Sequence, residues 1–266
     1  MTILDKINAH KALEVAAAKA QVSVQELEKS SLFPRKTNSL VANLLSETST
    51  GIIAEHKRKS PSKGIINNSL SVEEITQGYA QAGAVCLSVL TDFEFFGGTK
   101  DDLLKARAAN PTTPILRKDF MIDEYQIYEA KAWGADVILL IAACLSPEQI
   151  ESFSKKAHEL GLEVLLEIHD DEELDRSPLE NVDVVGVNNR NLKNFAENNV
   201  NASLVLANKI PASVLKISES CISQPETIRL LQSVGYKGFL MGETFMKETN
   251  PGFALRDFLE NVEKIA

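Results

Sequence analysis

Eight short apolar runs alternate along the chain with amphipathic stretches of helical spacing, and this alternation constrains the fold more than any other feature. The runs cover residues 51–56, 84–90, 114–117, 137–141, 163–167, 184–187, 215–218 and 238–241. Helices are predicted near residues 72–82, 100–109, 123–134, 147–160, 171–176, 202–208, 226–234 and 254–265. Strand followed by helix, repeated without interruption, calls for a parallel sheet flanked by helices. Eight repeats of roughly 25–30 residues suit a closed (β/α)8 barrel better than an open sheet. A doubly wound sheet is the alternative, weakened because no G-x-G-x-x-G follows the first run and no G-x-x-x-x-G-K-S/T occurs.

Residues 1–48 precede the first run and read as helical throughout, with Ile3, Leu4, Ile7, Leu13 and Val15 near helical spacing. Ser23 is a predicted N-cap, with Glu26 as its capping-box partner, for a second helix through Leu27, and a third covers residues 40–45. The 266 residues are expected to form a single barrel domain in which 1–48 is a helical N-terminal extension, part decoration and part lid or plug.

The formal net charge of -9 argues against a nucleic-acid partner, which needs a positive footprint, so an anionic ligand must be met by local basic groups. Cys86, Cys144 and Cys221 are odd in number and far apart, which suits a reducing cytoplasm rather than a disulfide framework. The N-terminus lacks the apolar core of a signal peptide, and no apolar run reaches membrane-spanning length.

Ionisable residues gather where the runs end. On the first, Gly51, Ile53, Glu55 and Lys57 share one face, and Ile52, Ala54 and His56 the other. An acid and an amine thus converge at a strand's carboxyl end, where parallel barrels build active sites. On the third, Leu116, Lys118 and Phe120 share parity, so Lys118 is predicted to point inward and Arg117 toward the helices. On the fifth, Glu163, Leu165 and Glu167 share a face, and on the sixth Val184, Gly186, Asn188 and Arg190 do. The second ends in Thr91-Asp92 ahead of Gly97-Gly98. Buried carboxylates are costly unless paired, so two acids and two lysines facing one cavity form a compensated set. Structural ion pairs give the same pattern for any one of them. The seventh run leads into Ser218-Glu219-Ser220-Cys221 and the eighth into Met241-Gly242-Glu243-Thr244-Phe245-Met246, where a short extra helix can begin. This pair of loops commonly binds phosphate in barrels, through backbone N–H groups.

Five separated strings carry a resemblance. Ile53-Ala54-Glu55-His56-Lys57-Arg58-Lys59-Ser60-Pro61-Ser62, Leu116-Arg117-Lys118-Asp119-Phe120, Leu166-Glu167-Ile168-His169, Val187-Asn188-Asn189-Arg190-Asn191-Leu192 and Met241-Gly242-Glu243 resemble, in order, the indole-3-glycerol phosphate synthase family of tryptophan biosynthesis. The likeness spans nearly the whole chain. It implies conversion of 1-(2-carboxyphenylamino)-1-deoxyribulose 5-phosphate to indole-3-glycerol phosphate, with loss of carbon dioxide and water and with neither metal nor organic cofactor. The partner it implies is one small anionic phosphosugar–anthranilate substrate; charge, hydropathy and cysteine usage add the expectations of no nucleic acid, no membrane and a cytoplasmic setting, and the chain is expected to be a monomer or weak homo-oligomer.

Carried over by position, the resemblance makes Lys118 the general acid, Lys57 the binder of the substrate carboxylate, and Glu167 the general base. Glu55 and Asn188 hold the ribulose hydroxyls and orient the lysines. Ser60, Arg190, Ser220, Cys221, Gly242 and Glu243 fall at polar and phosphate-binding positions, while Pro61, Phe96, Phe120, Leu139, Ile141, Leu192 and Leu240 line the aromatic pocket or are plain core. An ammonium facing a carbonyl oxygen suits ring closure, and an elevated Glu167 pKa would suit a base. One departure stands out: Cys221 occupies a position where the family usually has glycine, a cost if positive φ is required there. His56 is expected to face away from the barrel interior. His10, His158 and His169 lack metal-site spacing, Trp133 reads as helix–barrel packing, and Asp119 as a supporting or capping residue. The competing readings are a phosphoribosylanthranilate isomerase-like phosphosugar barrel and a non-catalytic barrel scaffold.

Overall fold

A computed structural model describes residues 2–61, 64–190 and 199–265. Eight parallel strands close into a barrel: β1 (Ile52–His56), β2 (Cys86–Leu90), β3 (Ile115–Lys118), β4 (Val137–Ile141), β5 (Glu163–Ile168), β6 (Val184–Asn188), β7 (Leu215–Glu219) and β8 (Gly238–Met241). Each pairs with its sequence neighbours, and β1 pairs with β8 through Ile53 opposite Leu240. Observed strand ends fall within two residues of the predicted runs. An unpredicted two-stranded hairpin joins Lys59–Ser60 to Gly64–Ile65 after β1. Two residues per strand carry too little periodicity to announce themselves.

Period-two alternation sorts the strand side chains into two apolar layers. Ile53, Leu116, Leu139, Leu165, Val184, Ile217 and Leu240 fill the barrel interior. Ile52, Ala54, Leu87, Ile138, Leu166 and Val185 pack instead against the surrounding helices. Glu55, Lys118, Glu167 and Asn188 therefore continue the inward file at the carboxyl end, as their parity requires. Arg117, of opposite parity, turns outward and stacks 4.1 Å from the Trp133 ring centroid.

The N-terminal residues are not helical throughout. Helices α1 (Ile3–Gln21), α2 (Val24–Leu27) and α3 (Leu40–Leu45) are separated first by a bend and then by turns that end at Pro34, which has no N–H to continue a helix, followed by an irregular segment. Ser23 does cap α2, accepting the Glu26 N–H at 3.2 Å, but the Glu26 carboxylate turns to Lys29 at 3.1 Å. The two longer segments close opposite ends of the barrel. Leu40 and Leu44 of α3 enter the interior from below. There Glu163, at the start of β5, accepts the Ser39 hydroxyl and the Leu40 N–H (2.7 Å), satisfying donors at the start of α3. Helix α1 lies over the other end, and its Ile7 joins the same apolar cluster. No helix among the described residues is long and apolar enough to cross a membrane.

Candidate active site

At the carboxyl ends of the strands lies a cavity of about 600 Å³. Glu55, Lys57, Ser60, Pro61, Phe96, Lys118, Phe120, Leu139, Ile141, Glu167, Asn188, Arg190, Ser220, Cys221, Leu240, Gly242 and Glu243 all border it. Of the predicted site residues, Leu192 lies outside the described residues. Phe96 and Phe120 form an aromatic wall with centroids 5.9 Å apart. Ile3, Leu4 and Ile7 of α1 also border the cavity, so the N-terminal helix contributes apolar surface that no motif announced.

The polar floor is a chain of ion pairs. Lys57 Nζ binds Glu55 Oε1 at 2.6 Å, and Lys118 Nζ binds Glu167 Oε2 at 2.9 Å and Glu219 Oε2 at 2.8 Å. The Asn188 amide donates to Glu167 Oε1 at 2.9 Å. Glu219 was missed as a site residue because its segment read as a phosphate loop. The inward file Leu215, Ile217, Glu219 was the signal that places it at the top of β7. It fits because residue 186 is glycine, where a Cβ would stand 2.1 Å from Glu219 Oε1. Gly242 likewise lets the β8 backbone approach Glu55, whose Oε1 would lie 2.7 Å from a Cβ there.

Three buried carboxylates thus face two ammonium groups, and the imbalance decides who keeps a proton. For Glu167, burial pushes the pKa up, but the Lys118 ammonium, His169 and the Asn188 amide outweigh it and hold the carboxyl down at about 2. Burial likewise pushes Glu55 up, and Lys57 and Lys118 bring it below its ordinary value. For Glu219, burial dominates over Lys118, Glu167 and Glu55 add repulsion, and the pKa rises to about 7. Among the described residues its Oε1 has no hydrogen-bond partner. Burial disfavours the charged Lys118, yet Glu167, Glu219 and Glu55 together raise its pKa. The expectation of an elevated Glu167 is therefore overturned. The elevated acid is Glu219, and the difference arises from an ammonium that β3 places between the two.

The other end of the cavity is built from β6, β7 and β8. Arg190 N–H donates to Asn188 Oδ1 at 3.0 Å, and the guanidinium lies 3.8 Å from Glu243. A short helix (Glu243–Met246) starts just after β8. Lys247, which no motif singled out, adds a cation at this end. Ser220 and Cys221 have φ of 65° and 59°, so the position of the usual glycine is held left-handed here by a residue with a side chain.

Asp119 also borders the cavity, and both of its oxygens are engaged by neighbouring side chains and backbone. It accepts from Thr91 at 2.6 Å and pairs with Arg117 at 3.0 Å and Lys11 at 3.0 Å. Lys11, buried in α1, also reaches Asp92 at 2.9 Å, the cap of the short helix bearing Phe96. His56 is buried with neither ring nitrogen hydrogen-bonded among the described residues, and burial brings its pKa down to about 4. Among the described residues no three His, Cys, Asp or Glu side chains are grouped to hold a metal ion.

Residues 4–258 match the profile of a family described as indole-3-glycerol phosphate synthase. Proteins of that name are similar over almost their full lengths. One from Bacteroides thetaiotaomicron is 47% identical over 263 residues, covering 98% of this chain and 99% of that one. One from Acinetobacter baumannii is 46% identical over 251 residues, covering 94% and 92%. One from Bordetella pertussis is 43% identical over 256 residues, covering 95% and 97%. Among solved structures, a 3-hexulose-6-phosphate synthase from Salmonella typhimurium superposes with a TM-score of 0.64 over 81% of this chain and all of that one. At 13% identity that likeness speaks for the barrel alone.

Proposed function

The chain belongs to the indole-3-glycerol phosphate synthase family, carboxy-lyases of tryptophan biosynthesis, and we propose that Lys118, Glu167, Lys57, Glu55 and Asn188 perform that family's reaction in this cavity. The observation that carries the assignment is Lys118 Nζ held between Glu167 and Glu219, across one cavity from the Lys57–Glu55 pair.

The substrate's phosphate goes to the end formed by Ser60, Arg190, Ser220, Cys221, Gly242 and Glu243, with Lys247 beside them. Its aromatic ring goes to the apolar side, against Phe96, Phe120, Leu139, Ile141, Leu240, Pro61 and the α1 residues. Lys57 holds the carboxylate. As the ring carbon bonds to the ketone carbon, negative charge grows on the carbonyl oxygen. The Lys118 ammonium stabilises that charge and gives up a proton to it, an alkoxide being far more basic than an amine. The carboxylate leaves as carbon dioxide, and its bonding pair restores the aromatic ring. Dehydration then removes a carbon-bound proton to Glu167, while the hydroxyl leaves as water with a proton from Lys118. Glu55 and Asn188 orient the hydroxyls and the amines.

A carboxylate held at about 2 is a poor base, and the same contacts resolve the difficulty. Lys118 is the main group holding Glu167 acidic. Within dehydration Lys118 gives its proton to the departing hydroxyl, and with that ammonium gone burial predominates and Glu167 becomes more basic as it takes the carbon-bound proton. The setting that fits is the cytoplasm, with the phosphosugar–anthranilate substrate as partner and the chain a monomer or weak homo-oligomer. Mixing purified protein with 1-(2-carboxyphenylamino)-1-deoxyribulose 5-phosphate and following indole fluorescence tests the reading. Turnover is expected, with Glu167→Gln slower by at least about a hundredfold in kcat. A fully active Glu167→Gln removes the base assignment.

A further inference from the structure

The reaction consumes one net proton per turnover, because a carboxylate leaves as neutral carbon dioxide. In the scheme above Lys118 donates twice, to the carbonyl oxygen and to the departing hydroxyl, while Glu167 collects one proton from carbon. Lys118 must therefore be reloaded once from solvent, between ring closure and dehydration. By then substrate covers the cavity side of an amine already flanked by Glu167 and Glu219.

A route exists on the far side of Glu167. Its Oε2 is bound by Lys118, and its Oε1 lies 3.7 Å from His169 Nε2. Across the ring, His169 Nδ1 lies 3.2 Å from Glu173 Oε2, and the same oxygen accepts the His169 backbone N–H at 2.8 Å. Glu173 sits in the first turn of the helix Asp171–Arg176 that follows β5. A carboxylate against Nδ1 keeps that nitrogen protonated, which leaves Nε2, toward Glu167, as the atom whose proton comes and goes. The His169 side chain borders the cavity and is 17% exposed, so water reaches it.

We propose that His169 is the proton port of this site, passing solvent protons from Nε2 to Glu167 and so to Lys118, with Glu173 fixing its tautomer. The proposal rests on the roles assigned above to Lys118 and Glu167. Balance is simple. Imidazolium gives its Nε2 proton to Glu167 Oε1, the carboxyl turns about its Cγ–Cδ bond so that this same proton faces the Lys118 amine and passes to it, and water reprotonates the neutral ring. The 3.7 Å gap is one ring rotation or one bridging water. The groups facing His169 are Glu167 at the end of β5, Glu173 on the helix that follows and Glu219 on β7, with Lys118 behind Glu167 and the Cys144 thiol near both Glu167 and Glu173. Burial disfavours the imidazolium, yet Glu173, Glu167 and Glu219 outweigh it and raise the His169 pKa, so the port is more fully charged near neutrality than a free histidine.

Two variants of the full chain test this, His169→Ala and Glu173→Gln. His169→Ala is expected to lower kcat on the order of tenfold with little change in KM. Single-turnover carbon dioxide release should stay at the wild-type rate while indole fluorescence lags, and added imidazole should restore kcat in proportion to its concentration. Unchanged kcat, or a loss that imidazole does not lift with a pH profile parallel to wild type, overturns the port. If His169→Ala does not fold, Glu173→Gln must show the same lag and a larger solvent isotope effect, and a wild-type Glu173→Gln overturns the proposal. Glu167→Gln separates the two levels: an inactive Glu167→Gln beside a wild-type His169→Ala removes the port alone, whereas an active Glu167→Gln removes the site reading beneath it.

Discussion

Replacing Glu219 by Gln should stabilise the protein while impairing it, and the size of the effect follows from the three-acid, two-amine imbalance. A carboxyl held at about 7 instead of its ordinary 4.5 penalises the ionised form by about 1.4 kcal/mol for each of roughly 2.5 pH decades, or about 3 kcal/mol. The sign follows from where the proton sits. Between these two values the unfolded chain has released it and the folded chain retains it, so stability falls as pH rises through that window and levels off above it. Glutamine never ionises, and Lys118 keeps its pair with Glu167. The variant should therefore gain less than about 1 kcal/mol over wild type at pH 5 and about 3 kcal/mol at pH 8.5. Urea unfolding at both pH values measures this, with turnover measured alongside, and kcat should fall because Lys118 loses one of its two anionic partners. A difference independent of pH, or a variant less stable than wild type at pH 8.5, would refute the reasoning.

Three other substitutions probe separate contacts. Cys221→Gly relieves a left-handed residue, so stability should rise by zero to about 1 kcal/mol and KM should fall or stay level; a large drop in kcat/KM would show that the loop has been misjudged. Lys11→Met leaves Asp92 and Asp119 facing a buried apolar group and should cost about 3–5 kcal/mol in thermal or urea unfolding, whereas a loss under about 1 kcal/mol would mean the α1 pairing contributes little. Gly186→Ala drives a methyl into Glu219 Oε1 and should lower kcat at least about tenfold, and an unperturbed kcat would mean that Glu219 moves aside without consequence for Lys118.

Much of this architecture was readable from the chain because it depends on local rules. Strand–helix alternation implied the barrel, and period-two parity put Glu55, Lys118, Glu167 and Asn188 on the inner file and Arg117 on the outer. What escaped depends on distant partners. Glu219 obeys the same parity, but the glycine that makes room for it is on β6 and the ammonium that pairs it on β3. The proton affinities of Glu167 and Glu219 diverge around Lys118, which lies 49 residues from the one and 101 from the other, so no reading of either segment alone assigns them. The cavity-facing side of α1 was hidden similarly: Ile3, Leu4 and Ile7 look like any apolar helix face until the helix is laid across the barrel mouth.

The central claim is that the Lys118 ammonium drives ring closure, and the turnover number of Lys118→Met tests it most directly. With indole fluorescence as the readout and saturating substrate, kcat should fall by about 10²–10⁴-fold while urea unfolding confirms a folded barrel. A folded Lys118→Met that turns over within about tenfold of wild type would contradict the claim.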